Sequence, residues 1–112
     1  MGAATYDLEM DQGSSFSMEF QFMFDGAPRV LTNYLVRAQM RTHKKASDVS
    51  ATFICNVTDA LDGRVSITLS KADREALVAG EYLYDLELYT ADEEEVTRML
   101  EGKVFVTEGV IR

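Results

Sequence analysis

The sequence has no tryptophan, one proline, one cysteine and one histidine in 112 residues, and each scarcity excludes something. A lone cysteine, Cys55, forms no internal disulfide, so the fold does not depend on an oxidising compartment. With one proline and seven glycines the chain is neither collagen-like nor disordered by composition. No apolar run approaches the roughly 20 residues that a bilayer-spanning helix needs. Positive charge is also short: 11 lysines and arginines face 19 aspartates and glutamates, for a net charge of −8. Phosphate binding needs a positive field, so this balance argues against nucleic acid or an anionic membrane as the main partner. The opening MGAATYDLEM lacks the basic and apolar regions of a signal peptide, and Tyr6 stands where myristoylation needs Ser or Thr. The expectation is a chain made and folded in a cytoplasm.

What remains is enough for a core. Hydrophobic residues make up 46 % of the chain, and the length suits one domain spanning residues 1–112, with no disulfide or metal needed to hold it. The dominant pattern has a period of two, the mark of half-buried strands. In SFSMEFQFMF, Phe16, Met18, Phe20, Phe22 and Phe24 fall on one face, with Met23 on the other. The Asp25-Gly26 pair begins the turn that ends this strand, and Pro28 keeps that turn out of the ladder. YLVRAQMR sends Val36, Ala38 and Met40 inward. SATFICNV is continuously apolar, with Ala51, Phe53, Cys55 and Val57 assigned inward. RVSITLS sends in Val65, Ile67 and Leu69.

The period then changes. In SKADREALVAG, Ser70 precedes Asp73 by three residues, a weak capping box, and Gly80 is a natural stop. Two turns at most are expected, forming a crossover that closes one end of a sheet stack. EYLYDLELYT returns to strand with Tyr82, Tyr84, Leu86 and Leu88 inward. ADEEE is a hairpin tip. The last strand is VTRMLEGKVFVTEGVI, with Leu100, Val104 and Val106 inward, Met99 and Phe105 outward, and Gly102 at a bulge. With YDLEM at the start, the count is seven strands and one short helix. That suggests an all-β, immunoglobulin-like sandwich, with a closed barrel as the rival. Tyr82, at the start of the penultimate strand, is either the anchor of a tyrosine corner or an ordinary core aromatic.

YDLE occurs twice, at Tyr6–Glu9 and Tyr84–Glu87. The similarity ends with those four residues, so the copies reflect one strand rule, Tyr and Leu inward and acids outward, rather than a tandem repeat.

Catalytic raw material is thin. His43 sits in the basic loop RTHKK and reads as a solvated residue whose neighbours meet an acidic partner. Cys55 reads as a small buried hydrophobe. The acids of ADEEE, Asp92, Glu93, Glu94 and Glu95, lack the spacing and central glycine of a calcium loop, and DALDG reads as a turn. There is no P-loop, dinucleotide fingerprint, CxxC, HExxH or GxSxG. No cofactor and no enzymatic activity are expected. Met23, Met99 and Phe105, apolar on outward faces, mark either a contact surface or a sheet face covered by the chain's own loops.

Three stretches together resemble a known group: YDLEMDQGSSF, DGAPRVLTNYLVRAQMR and SKADREALVAGEYLYDLELYTADEEEVTRMLEGKVFVT. Their order resembles small immunoglobulin-like virion proteins of tailed bacteriophages, which carry D-G-x-P-x-x-L-T-x-Y and later A-G-x-Y-x-Y-D-L. More distantly it is similar to the N-terminal domain of phage upper baseplate proteins. Asn33 stands where such proteins often have Gly, which suits a left-handed turn. The resemblance implies a non-enzymatic virion component that docks, in many symmetric copies, on tail, baseplate or neck proteins. The contacts would come from Met23, Tyr89, Met99, Phe105 and the tip Asp92–Glu95, with Gly80 and Tyr82 structural. The alternatives are a capsid decoration protein and a carbohydrate- or receptor-binding module, for which Tyr89 and Tyr34 are the aromatics on offer.

Overall fold

The structure is a computed structural model that describes residues 3–109. In chain order it contains β1 (Ala4–Thr5), β2 (Leu8–Asp11), β3 (Ser17–Gln21), β4 (Met23–Phe24), β5 (Ala27–Pro28) and β6 (Leu35–Arg41). There follow β7 (Ala51–Thr52), β8 (Ile54–Asp59), β9 (Arg64–Thr68), α1 (Lys71–Ala76), β10 (Gly80–Tyr89) and β11 (Val96–Thr107). Val110 and Ile111, expected at the end of the last strand, lie outside the described residues.

The fold is all-β with several sheets. Six strands form one sheet in the order β1-β11-β10-β6-β7, with β2 also on β11. Three form a second sheet, β3-β9-β8, and β4 and β5 make a separate hairpin. The alternation explains the layering. Val65 and Ile67 of β9, Tyr84, Leu86 and Leu88 of β10, and Val104 of β11 are all buried, and they join residues of both sheets in one core. Phe53 meets Tyr84 edge-on at 6.3 Å across that core. Each fully buried aliphatic side chain contributes roughly 1.5–3 kcal/mol.

Among the described residues there are eleven strands where seven are expected, because two of the expected segments break in two, the short β1 precedes YDLEM, and the Asp25-Gly26 turn adds β5. SATFICNV breaks at Phe53: its first half pairs with β6 and its second with β9, so the chain changes sheet within one apolar run. SFSMEFQFMF breaks at Phe22. Asp25 and Gly26 both have positive φ, 52° and 77°, as a two-residue hairpin turn of the primed kind requires. That turn carries β4 and β5 away from the sheet. Phe24, assigned inward, is therefore 59 % exposed, and Pro28 lies on the return strand opposite Met23.

YDLEM, expected as strand from Tyr6, is strand only from Leu8, and β1 lies just before it. Tyr6, assigned inward, is exposed, while Leu8 and Met10 are buried. Gly102 lies beside Tyr6. A Cβ built there would stand 2.3 Å from the Tyr6 carbonyl oxygen, so the chain between β1 and β2 runs alongside β11 at close range where that strand has no side chain. Gly102 is thus a point of close backbone approach and not a bulge. The bulge lies a turn earlier: Leu86 faces Leu100 and Glu87 faces Arg98, leaving Met99 as the extra residue. Met99, assigned outward, is half-buried and packs on the core.

α1 begins as its sequence suggests, with the Ser70 hydroxyl accepting from the Asp73 amide at 3.1 Å. None of its own residues is buried, and only Leu77, just past its end, reaches the core. It carries the chain from the three-stranded to the six-stranded sheet. Asn33 takes φ 71°, the left-handed turn its position suggests.

Candidate functional site

Three connections gather at one end of the molecule. The β4–β5 hairpin is tied to the turn after β8 by the Phe22 amide on the Gly63 carbonyl and the Leu31 amide on the Ala60 carbonyl, both 2.8 Å. The Tyr34 hydroxyl then donates to Glu95 at 2.6 Å, joining them to the β10–β11 tip. Of the eleven exposed large apolar side chains among the described residues, six sit on this end: Met23, Phe24, Val30, Leu35, Leu61 and Val96. The sequence reading picked out Met23 alone. The others escaped it because Phe24 looks like a core position and Leu61 is a single apolar letter in a turn.

The tip is built by local bonds. Asp92 accepts from the Thr90 hydroxyl at 2.6 Å and from the Glu94 amide at 3.0 Å, and these bonds hold its carboxyl below the usual carboxylate range. Thr90 in turn accepts from the Glu95 amide. Glu93 takes φ 57° and pairs with Arg37 at 2.9 Å. Arg37 also pairs with Glu87 at 2.8 Å, and its guanidinium lies 4.3 Å from the centre of the Tyr89 ring. Of the four acids, three hold the tip together. Glu94 alone makes no side-chain bond among the described residues.

Sequence reasoning missed a second feature, on the outer face of the six-stranded sheet. There β6, β10 and β11 form a shallow concavity of about 540 Å³. Four cationic side chains line it, Arg37, Arg41, Lys44 and Arg98, with His43 beside them, against two acidic ones, Asp85 and Glu87; Glu93 and Glu101, outside the lining, pair with Arg37, Lys44 and Arg98. On a chain of net charge −8 the lining itself is a local inversion of sign. Arg41 is half-buried there. It donates to the Ala46 carbonyl at 3.0 Å and to Gln39 at 3.4 Å, with no carboxylate in ion-pair reach among the described residues. Lys44 meets Glu101 at 3.5 Å, the acidic neighbour expected for the loop. Alternation puts Arg37 and Arg41 on one face, but only the strand pairing brings Arg98 to them.

The remaining expected contact residues are dispersed. Phe105 is exposed on the far part of β11, opposite Glu9, beside a second shallow hollow that Tyr6 and Met18 also line. Met99 is at the bulge. Burial pushes the Cys55 thiol up to about 11, which keeps it protonated and unreactive at neutral pH. The Tyr82 hydroxyl donates to the Val78 carbonyl, four residues upstream, at 2.6 Å. Among the described residues no helix is long and apolar enough to cross a membrane.

No protein-family model and no curated protein sequence matches this chain. Solved structures do share its fold. The N-terminal domain of phage TP901-1 ORF48 superposes with a TM-score of 0.59 at 11 % identity, covering 95 % of this chain and 98 % of that one. Listeria monocytogenes InlP superposes at 0.52 and 13 % identity, over 94 % of this chain and 28 % of the other. At such identities the likeness is one of fold.

Proposed function

We propose that this chain is a non-enzymatic structural component of a tailed-phage virion, made in the host cytoplasm, which docks as a single domain on tail, baseplate or neck proteins in repeated copies. The observation that carries the reading is the likeness, end to end in both chains, to a phage domain. The phage-like turn motifs around Asp25–Tyr34 and Ala79–Leu86 support it independently. Docking would use the end that carries Met23, Phe24, Val30 and Leu61, rimmed by the acidic tip, since clustered exposed apolar side chains are the usual material of protein contacts. Tyr89 stands beside the tip beneath Arg37, Met99 would act only through the bulge where it packs on the core, and Phe105 contributes a separate patch. Neither nucleic acid nor membrane is a partner.

The finer fold assignment belongs to the same reading. An immunoglobulin-like sandwich accounts for the change of sheet at Phe53 and for the Tyr82 bond back to Val78, which would anchor the corner that Gly80 opens. A glycan-binding role has less support. A sugar needs a bare aromatic face, and Arg37 lies over Tyr89 while Arg29 lies over Tyr34.

The test is location. Cryo-electron microscopy of intact particles should find the chain in the tail, baseplate or neck with its Met23–Leu61 end against a neighbour. Density on the capsid shell instead would make it a decoration protein. Absence from purified particles would end the virion reading.

A further inference from the structure

The outer concavity and the acidic tip are complementary, and both belong to this chain. We propose that the β10–β11 tip of one copy docks into the basic concavity of a second copy, with Glu94 of the first against Arg41 of the second. This deepens the reading of a repeated virion component, and it supplies the contact between copies.

The charges that would meet are those the monomer leaves unused. Arg41 is held in place by a backbone carbonyl and an amide oxygen, with no carboxylate of its own among the described residues. The His43 side chain, beside it in the same lining, makes no side-chain bond among the described residues, and neither does Lys45, next along the loop. At the tip, Glu94 is the one acid without a partner among the described residues. Desolvating these groups therefore breaks no existing ion pair. The tip's internal bonds fix its backbone beforehand, so little order remains to be imposed on docking. Because the tip is at an end and the hollow on a flank, the contact is heterologous: each copy offers one of each, and repetition closes into a ring if the rotation permits.

The full chain in sedimentation velocity should associate reversibly with rising concentration in low salt and return to monomer in high salt. Arg41→Glu and Glu94→Arg should each weaken association at least about tenfold, and the double variant, with the pair reversed, should recover most of it. Glu94→Gln keeps the side-chain size, and Arg41→Gln keeps a polar head while removing the charge; each should weaken association less, which separates lost docking from a lost fold as judged by circular dichroism. A monomer at every concentration in low salt overturns the proposal, as does a double variant no better than the singles. The two readings fail separately. A chain seen in particles only as isolated copies ends this inference and spares the virion role. Swap-dependent association of a chain absent from particles does the reverse.

Discussion

Tyr6–Glu9 and Tyr84–Glu87 are the same four residues in the same order, in one sheet, separated by a single strand. They do different things. Tyr84 is buried and Tyr6 is 46 % exposed. The second copy lies in the middle of β10, antiparallel to both neighbours. The first is interrupted: β1 ends at Thr5 and β2 starts at Leu8, both parallel to β11 and in one continuous register. The copies meet at Gly102. It pairs with Tyr84 on one side and lies against the Tyr6 backbone on the other. With no side chain between them, the Tyr84 hydroxyl reaches the Tyr6 carbonyl at 2.5 Å. Local sequence sets which side chains can be buried, and the neighbouring strand decides which are.

If Gly102 creates the difference, a side chain there should abolish it. Gly102→Val would put carbon against the Tyr6 carbonyl at 2.3 Å and the Asp7 carboxylate at 2.9 Å. Backbone cannot step aside as a flexible side chain can, so overpacking should cost about 3 kcal/mol in urea unfolding. The first strand should also detach, exposing Leu8 and Met10, with faster amide exchange across β2. A variant as stable as the parent would remove the explanation offered for Tyr6.

Much of this was legible beforehand, and the boundary is physical. Where a strand is flanked on both sides, period two reads true: Val65, Ile67, Tyr82, Tyr84, Leu86 and Leu88 are all buried as their alternation predicts. It fails where a non-local event intervenes. Tyr6 packs edge-on against Phe20 at 5.6 Å yet stays 46 % exposed, where β11 offers only Gly102 beside it, and Phe24 is carried out by its own turn. The ADEEE tip was legible because turn chemistry is local. The basic concavity was not, because Arg98 joins Arg37 and Arg41 through a strand pairing that no short window contains.

The next effect is smaller. Tyr84→Phe removes the donor and leaves the Tyr6 carbonyl without it, which should cost about 1–2 kcal/mol. Tyr6→Phe should cost less than about 0.5 kcal/mol, because the acceptor is the backbone and the Tyr6 hydroxyl makes no bond among the described residues. Alkali sharpens the contrast. Burial first, and the Asp7 charge second, hold the Tyr84 phenol well above its ordinary value of 10.0. A raised folded value means that the native state keeps its proton. The stabilisation is therefore complete below about pH 10 and is lost as pH climbs beyond it. Unfolding measured across that range should show wild-type stability falling with pH, with a shallower slope in Tyr84→Phe.

The smallest effect compares the two aspartates. Asp7 accepts from the Lys103 amide at 2.9 Å, so its carboxylate serves a backbone donor where the parallel ladder is interrupted. Asp85 faces solvent and meets Arg98 only at 3.8 Å. Removing an acceptor from a backbone amide should cost about 1 kcal/mol, whereas loosening an exposed ion pair should cost less than about 0.5 kcal/mol. Salt separates the causes as well as the sizes. Salt screens a pairing of exposed charges, so the Asp85→Ala deficit should fade in high salt. The Asp7→Ala deficit should persist, and Asp7→Asn, which keeps an acceptor oxygen, should restore most of it. Equal losses at the two sites, or a loss at Asp7 that salt removes, would mean that the interruption is held by charge alone. The two copies of YDLE would then differ less than their surroundings do.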